Sequence, residues 1–194
     1  MRRTLDRRVL LVASLAAAFA LAQCRAAGPD PAAQARSAAA WATVYEVLQH
    51  PRCVNCHPAG DVPLVGEHRE VHPQNVQSGG NGMGLFAMAC PTCHRDENTP
   101  GRHMPPGAPR WHMPPRNTPL VFEGRGAREL ARQLADPSQN GNLSPQQLLE
   151  HVKSDPLVLW GWNPGEGRAP VPVPHRTFVA AFQDWVEGGC RVPE

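Results

Sequence analysis

Two stretches decide how this chain is read: Arg52-Cys53-Val54-Asn55-Cys56-His57 and Cys90-Pro91-Thr92-Cys93-His94. Each contains Cys-x-x-Cys-His, the attachment signature of a c-type haem. The spacing has a chemical reason. Two thiols three positions apart, on one turn of chain, can add to the two vinyl groups on neighbouring pyrroles of one macrocycle. The histidine beside the second thiol, His57 or His94, then falls under the iron and supplies the proximal imidazole. The same cysteines have two competing readings. Cys53, Cys56, Cys90 and Cys93 could form a four-thiolate zinc ribbon, or each pair could be a thiol redox couple. Neither requires a histidine after both pairs. The 33 residues between the pairs also exceed the roughly 15–20 of a common zinc ribbon.

Outward from the motifs, the composition changes character. Of the 22 prolines in 194 residues, 12 lie between positions 51 and 119. Each removes a backbone donor and fixes φ, which excludes a regular helical bundle or a large sheet there. No sustained period of 2 or 3.6 runs through the segment. The one exception is Gly84 to Cys90, whose Leu85, Phe86, Met88 and Ala89 suggest a short helical turn. Two covalent haems explain such a region, because a macrocycle is a large apolar body around which loops can pack. The prolines then lower the entropy of the unfolded chain that must wrap it.

The second axial position of each iron calls for His or Met. His72 follows His57 by 15 residues, and His112 follows His94 by 18. A 15-residue loop reaches up to about 50 Å, enough to pass a haem edge and return to the opposite face. The intervals favour His57 with His72 and His94 with His112. The alternative is Met104 or Met113, each followed by Pro-Pro, on at least one iron. His50, His68 and His103 read as surface or hydrogen-bonding residues, and His151 and His175 as members of later helices.

Helical patterns flank the proline-rich segment. Residues 28–35 read as a Pro/Ala linker. Ser37 to Gln49 reads as a helix with Ser37 as cap, Trp41, Val44, Val47 and Leu48 on one face, and Pro51 as its stop. Ala127 to Ala135, a helix starting at Ser144-Pro145, a buried apolar run from Leu157 to Trp162, and Thr177 to Glu187 follow. The expected architecture is mainly α with extensive loops, cytochrome c-like, with short helices wrapped around two haems. Its segments are a leader at 1–22, a linker at 23–36, a dihaem region at 37–123, and a helical region at 124–194 packing on it.

The leader carries Arg2, Arg3, Arg7 and Arg8, a 14-residue apolar run from Val9 to Ala22, and an Ala20-Leu21-Ala22 cleavage site. The run is too short to span a bilayer, which takes about 20 residues. Its removal takes the formal charge from +2 to −1, so the mature chain lacks the cationic surface that nucleic-acid binding needs. The expectation is an exported, periplasmic protein with no transmembrane segment, in a compartment that permits oxidised thiols. Cys24 and Cys190 are left over. They are a disulfide, free thiols, or, for Cys24, a site of lipid anchoring.

The chain resembles exported c-type cytochromes often labelled as subunits of isoquinoline 1-oxidoreductase. The resemblance runs from about Arg52 to the end. It is carried by R-C-V-N-C-H-P at 52–58, H-P-Q-N-V at 72–76, C-P-T-C-H at 90–94, P-x-W-H at 109–112, V-F-E-G at 121–124 and L-W-G-W-N-P-G-E-G at 159–167. Relatives read W-H-x-x-P at the 109–115 loop, which implies His112 rather than Met113 as a ligand. The family label implies association with a molybdenum hydroxylase that oxidises N-heteroaromatic compounds. Nothing in this sequence binds molybdopterin or an iron–sulfur cluster, so the chain would be the electron carrier. Electrons would enter from a periplasmic dehydrogenase and leave to another cytochrome or a terminal oxidase. The alternative is a peroxidase-like dihaem enzyme with one open iron and Glu67 or Glu123 as its acid/base.

Overall fold

The computed structural model describes residues 30–118 and 120–193. The leader and Cys24 lie outside the described residues. The elements in chain order are α1 (Pro31–Leu48), α2 (Pro51–Val54), β1 (Leu64–Val65), β2 (Glu70–Val71), β3 (Gly84–Leu85), β4 (Met88–Ala89), a 3-10 turn (Cys90–Thr92), α3 (Ala127–Ala135), α4 (Pro145–Ser154), α5 (Pro156–Leu159), a second 3-10 turn (Trp160–Trp162) and α6 (His175–Glu187). The protein is mainly helical, with long loops and two two-stranded hairpins, β1–β2 and β3–β4.

The helices start where local chemistry allows. Ser144 and Gln147 form a reciprocal capping box at α4, with Pro145 at its first position. Helix α1 begins at Pro31, six residues before the expected Ser37. Asp30 accepts from the Ala32 amide and Pro31 occupies the first turn, so residues 31–35 are helix rather than linker. Ser37 is buried mid-helix instead of capping. Its hydroxyl donates to the Trp185 carbonyl at 2.8 Å, tying α1 to α6. Helix α6 starts at His175, two residues earlier than expected.

The 84–90 segment is a hairpin and not a helical turn. Gly84 pairs with Ala89 and Leu85 with Met88. Gly84 has φ +89°, a conformation that a helix cannot use and that glycine adopts freely. Phe86 sits at the turn and is fully exposed.

One hydrophobic core joins the two ends of the described chain. Trp41, Val44 and Val47 of α1, Leu130 and Leu134 of α3, Leu148 of α4, and Phe178, Phe182 and Trp185 of α6 are buried together. Trp41 and Trp185 lie 4.9 Å apart, and Phe182 meets Trp185 edge-on at 5.3 Å. Helix α1 packs most extensively on α6. Among the described residues, no helix is long and apolar enough to cross a membrane.

Candidate functional site

The core positions the first motif through a chain of hydrogen bonds. From α1, Trp41 Nε1 donates to the Ala127 carbonyl at 2.9 Å and Gln49 Nε2 to the Phe122 carbonyl at 2.9 Å. From α3, Gln133 Nε2 donates to the Val121 carbonyl at 2.9 Å. Segment 121–127 is thereby held against the helices. The Phe122 amide in turn donates to the His57 carbonyl at 2.9 Å. The His57 ring donates from Nδ1 to the Leu120 carbonyl at 2.7 Å, and Phe122 stacks on it at 3.9 Å.

The second motif has the same arrangement built from different parts. The His94 ring donates from Nδ1 to the Pro106 carbonyl at 2.7 Å, and Trp111 stacks on it at 4.7 Å with planes 6° apart. Trp160 supports Trp111 edge-on at 5.0 Å. Asn98 locks the assembly: its side-chain oxygen accepts from Trp160 Nε1 at 2.9 Å and from the Gly107 amide at 3.0 Å, and its amide donates to the Asn163 carbonyl at 3.0 Å.

These two contacts fix the chemistry of both rings. A carbonyl oxygen only accepts, so each Nδ1 carries the proton and each Nε2 presents a lone pair. Burial also holds both rings in the neutral form. The His57 pKa is lowered to about 4, mainly by burial, against the opposing pull of the Leu120 carbonyl. Burial lowers that of His94 as well. Neutral imidazole is the form that ligates metal.

Burial, then the neighbouring Cys56, pushes the Cys53 thiol up to about 12. Burial likewise pushes Cys56 up to about 11, against the opposing charge of Arg52, and Cys56 and Cys90 line one cavity. Among the described residues, Cys53, Cys56, Cys90, Cys93 and Cys190 form no disulfide with one another. Among the described residues, no three His, Cys, Asp or Glu side chains converge as they would around a bare ion.

A cavity of about 580 Å³ lies between the motifs, lined among others by Cys56, Cys90, Cys93, His94, His72 and His112. A second, of about 220 Å³, is lined by His57, Cys56 and Met113. Cys56 and Met113 border both. Met113 is buried, whereas Met104 is exposed and borders neither. His112 donates from Nδ1 to the Arg110 carbonyl.

The His72 and His94 rings lie near one another, with centroids 6.3 Å apart. Arg52 also lines the larger cavity, and its side chain is 1% exposed. It donates to Glu67 at 3.0 Å and to the Gly66 carbonyl at 3.1 Å. Arg52 Nε and His72 Nδ1 are buried without a hydrogen-bond partner, and such orphaned groups cost roughly 1–3 kcal/mol each unless something else satisfies them. Glu67 is engaged by Arg52 and by the Ala169 amide at 3.2 Å, and Glu123 accepts from the Ala59 amide at 2.8 Å.

His50, His151 and His175 have structural partners. His50 caps α2, accepting from the Arg52 amide at 3.2 Å. His151 lies 3.2 Å from Asp155, and His175 donates to the Val152 carbonyl at 2.9 Å. The supporting residues Leu120, Phe122, Pro106, Trp111, Asn98 and Trp160 were not legible as site residues from the motifs. The signal was present in Trp111 beside His112 and in the Trp160-Gly161-Trp162 run. Comparison with protein-family models, with curated proteins and with solved structures gives no match.

Proposed function

We propose that this is an exported c-type cytochrome that carries two covalent haems and relays single electrons between a periplasmic dehydrogenase and a downstream acceptor. One observation carries the reading. Each of the two Cys-x-x-Cys pairs is followed by a histidine whose Nδ1–H is anchored on a backbone carbonyl and whose Nε2 is left free among the described residues. That is the second-shell arrangement of an imidazole prepared to bind metal.

The other residues fit the same group. A porphyrin supplies four nitrogens itself, so the chain needs to provide only thiols and axial ligands. Cys53 and Cys56 would hold one haem with His57, and Cys90 and Cys93 the other with His94. The unsatisfied Arg52 Nε at the cavity suits the propionate carboxylates such a macrocycle bears. When bound, haem iron supplies the chemistry by cycling between its ferric and ferrous states.

The chain's own contribution is to hold and tune. The Leu120 and Pro106 carbonyls draw on the Nδ1 protons and raise the basicity of the ligating nitrogens. Phe122 and Trp111 fix the ring planes and keep water from them. The involvement of Glu67 and Glu123 in structural hydrogen bonds speaks for a carrier over an enzyme with a free acid/base. A molybdenum hydroxylase acting on N-heteroaromatics is the partner class that the resemblance implies, and the leader implies the periplasm.

Potentiometric titration with visible spectra tests the proposal, on protein made alongside a haem-attachment apparatus. Two one-electron transitions with low-spin spectra are expected, with little carbon monoxide binding to the reduced form. Rapid stoichiometric carbon monoxide binding at one iron would favour the peroxidase-like alternative. A chain without haem absorbance would overturn the reading.

A further inference from the structure

We propose that the axial ligation is crossed: His72, in the loop that leaves the first motif, completes the iron held by His94 of the second. This rests on the cytochrome reading above and deepens it. Interval counting pairs His72 with His57, because 15 residues of free loop could return to the same iron. The loop is not free. Leu64 pairs with Val71 and Val65 with Glu70, so β1–β2 turns the chain back on itself directly before His72. The His72 amide then donates to the Pro63 carbonyl at 3.0 Å, and its own carbonyl accepts from the Asn75 amide at 2.7 Å. This hairpin delivers the ring to the cavity that His94 borders.

The spacing of the two rings fits a shared iron. A metal–imidazole bond of about 2.0 Å, plus about 1.1 Å from nitrogen to ring centre, puts two trans imidazole centroids about 6.2 Å apart. The His72 and His94 centroids are 6.3 Å apart, with planes at 65°. His72 also keeps a buried nitrogen without a protein partner. The loop from 58 to 72 therefore leaves one site and completes the other, so neither haem site is independent of its neighbour.

The test uses the full chain carrying Cys53→Ala and Cys56→Ala, which leaves attachment only at Cys90 and Cys93. In that background His72→Met is expected to bring out the red charge-transfer band of Met-ligated ferric haem and to raise the potential. His112→Met is expected to leave the spectrum unchanged. The reverse pattern, or no change with either, would overturn the crossing. Should the doubly substituted chain fail to fold, the complete dihaem chain gives a second reading. Trp111 touches His94, so Trp111→Phe marks the potential of that iron. His72→Met is expected to shift the same one of the two potentials, and the double variant to be non-additive. Additive shifts on different potentials would overturn the proposal. Absence of covalent haem from the unaltered chain would overturn the cytochrome reading itself, a result distinct from any of these.

Discussion

The helical part and the loop part of this molecule are stabilised by different means. Sixteen buried hydrophobic residues form one cluster, drawn mainly from α1, α3, α4 and α6. In the segment 56–118, Ala108 and Met113 are the buried members of the hydrophobic set among the described residues. That segment instead contributes most of the lining of a cavity of about 580 Å³ bordered by thiols of both motifs and by the His94 imidazole. A core of side chains stabilises by removing apolar area from water, at roughly 25 cal/mol per Å². Loops with almost no such area need another apolar body to close on. The contrast teaches that the helices can be a scaffold in their own right, while the loops depend on what they enclose.

The strongest way to break this contrast is to remove one haem. Cys90→Ala with Cys93→Ala is expected to abolish amide-exchange protection through much of 58–118 and to leave α1, α3, α4 and α6 protected. Equal loss in both parts would end the distinction. The reciprocal experiment acts on the scaffold. Phe178 and Trp185 are 1% and 0% exposed, and truncating either to Ala should cost about 3–5 kcal/mol in denaturant unfolding. The haem spectrum of the folded fraction should not change.

A smaller effect is expected where two loops touch. Gly82 has φ +78°, and a Cβ there would overlap the Met113 carbonyl oxygen, which lies beside the bond from the Met113 amide to the Gly82 carbonyl at 2.9 Å. Gly82→Ala should cost about 1–3 kcal/mol, with lost exchange protection confined to the loops. Spread of that loss into α6 would show that the two parts unfold as one.

The smallest effect concerns the loop surface. Hydrogen bonding from Arg116, foremost, holds the Asp61 carboxyl below its ordinary range. A folded pKa below the unfolded value of about 3.9 gives stability that is present above that value and lost as pH falls through the folded one. For so exposed a pair, Asp61→Asn should cost under about 1 kcal/mol at neutral pH. The difference from wild type should vanish on acidification below about pH 4. Melting curves across that range check it, and a difference that grew on acidification would contradict the assignment.

What the sequence discloses follows from how local each signal is. Helices α3 and α4 are legible because an apolar stripe and a cap lie within a dozen residues. The start of α1 is missed because Asp30-Pro31 reads as a linker, although proline in a first turn is favourable. The β3–β4 hairpin is missed because Leu85, Phe86, Met88 and Ala89 satisfy either period over so short a run. At the site, the thiols and His57 and His94 are plain in the motifs. Their supports are not, because the Leu120 carbonyl is 63 residues from His57 and a backbone oxygen has no sequence signature. Two-residue strands such as β1 and β2 leave no sequence pattern either, yet they place His72 at the cavity that His94 also borders.

The central claim is that two covalent haems occupy the loop region. Intact mass of the mature, denatured protein tests it most directly, after expression with a haem-attachment apparatus. The account predicts the polypeptide mass plus that of two haem groups, falling by one haem when either cysteine pair is replaced by alanine. A mass equal to the bare chain, from cells that load a control cytochrome c, would contradict it.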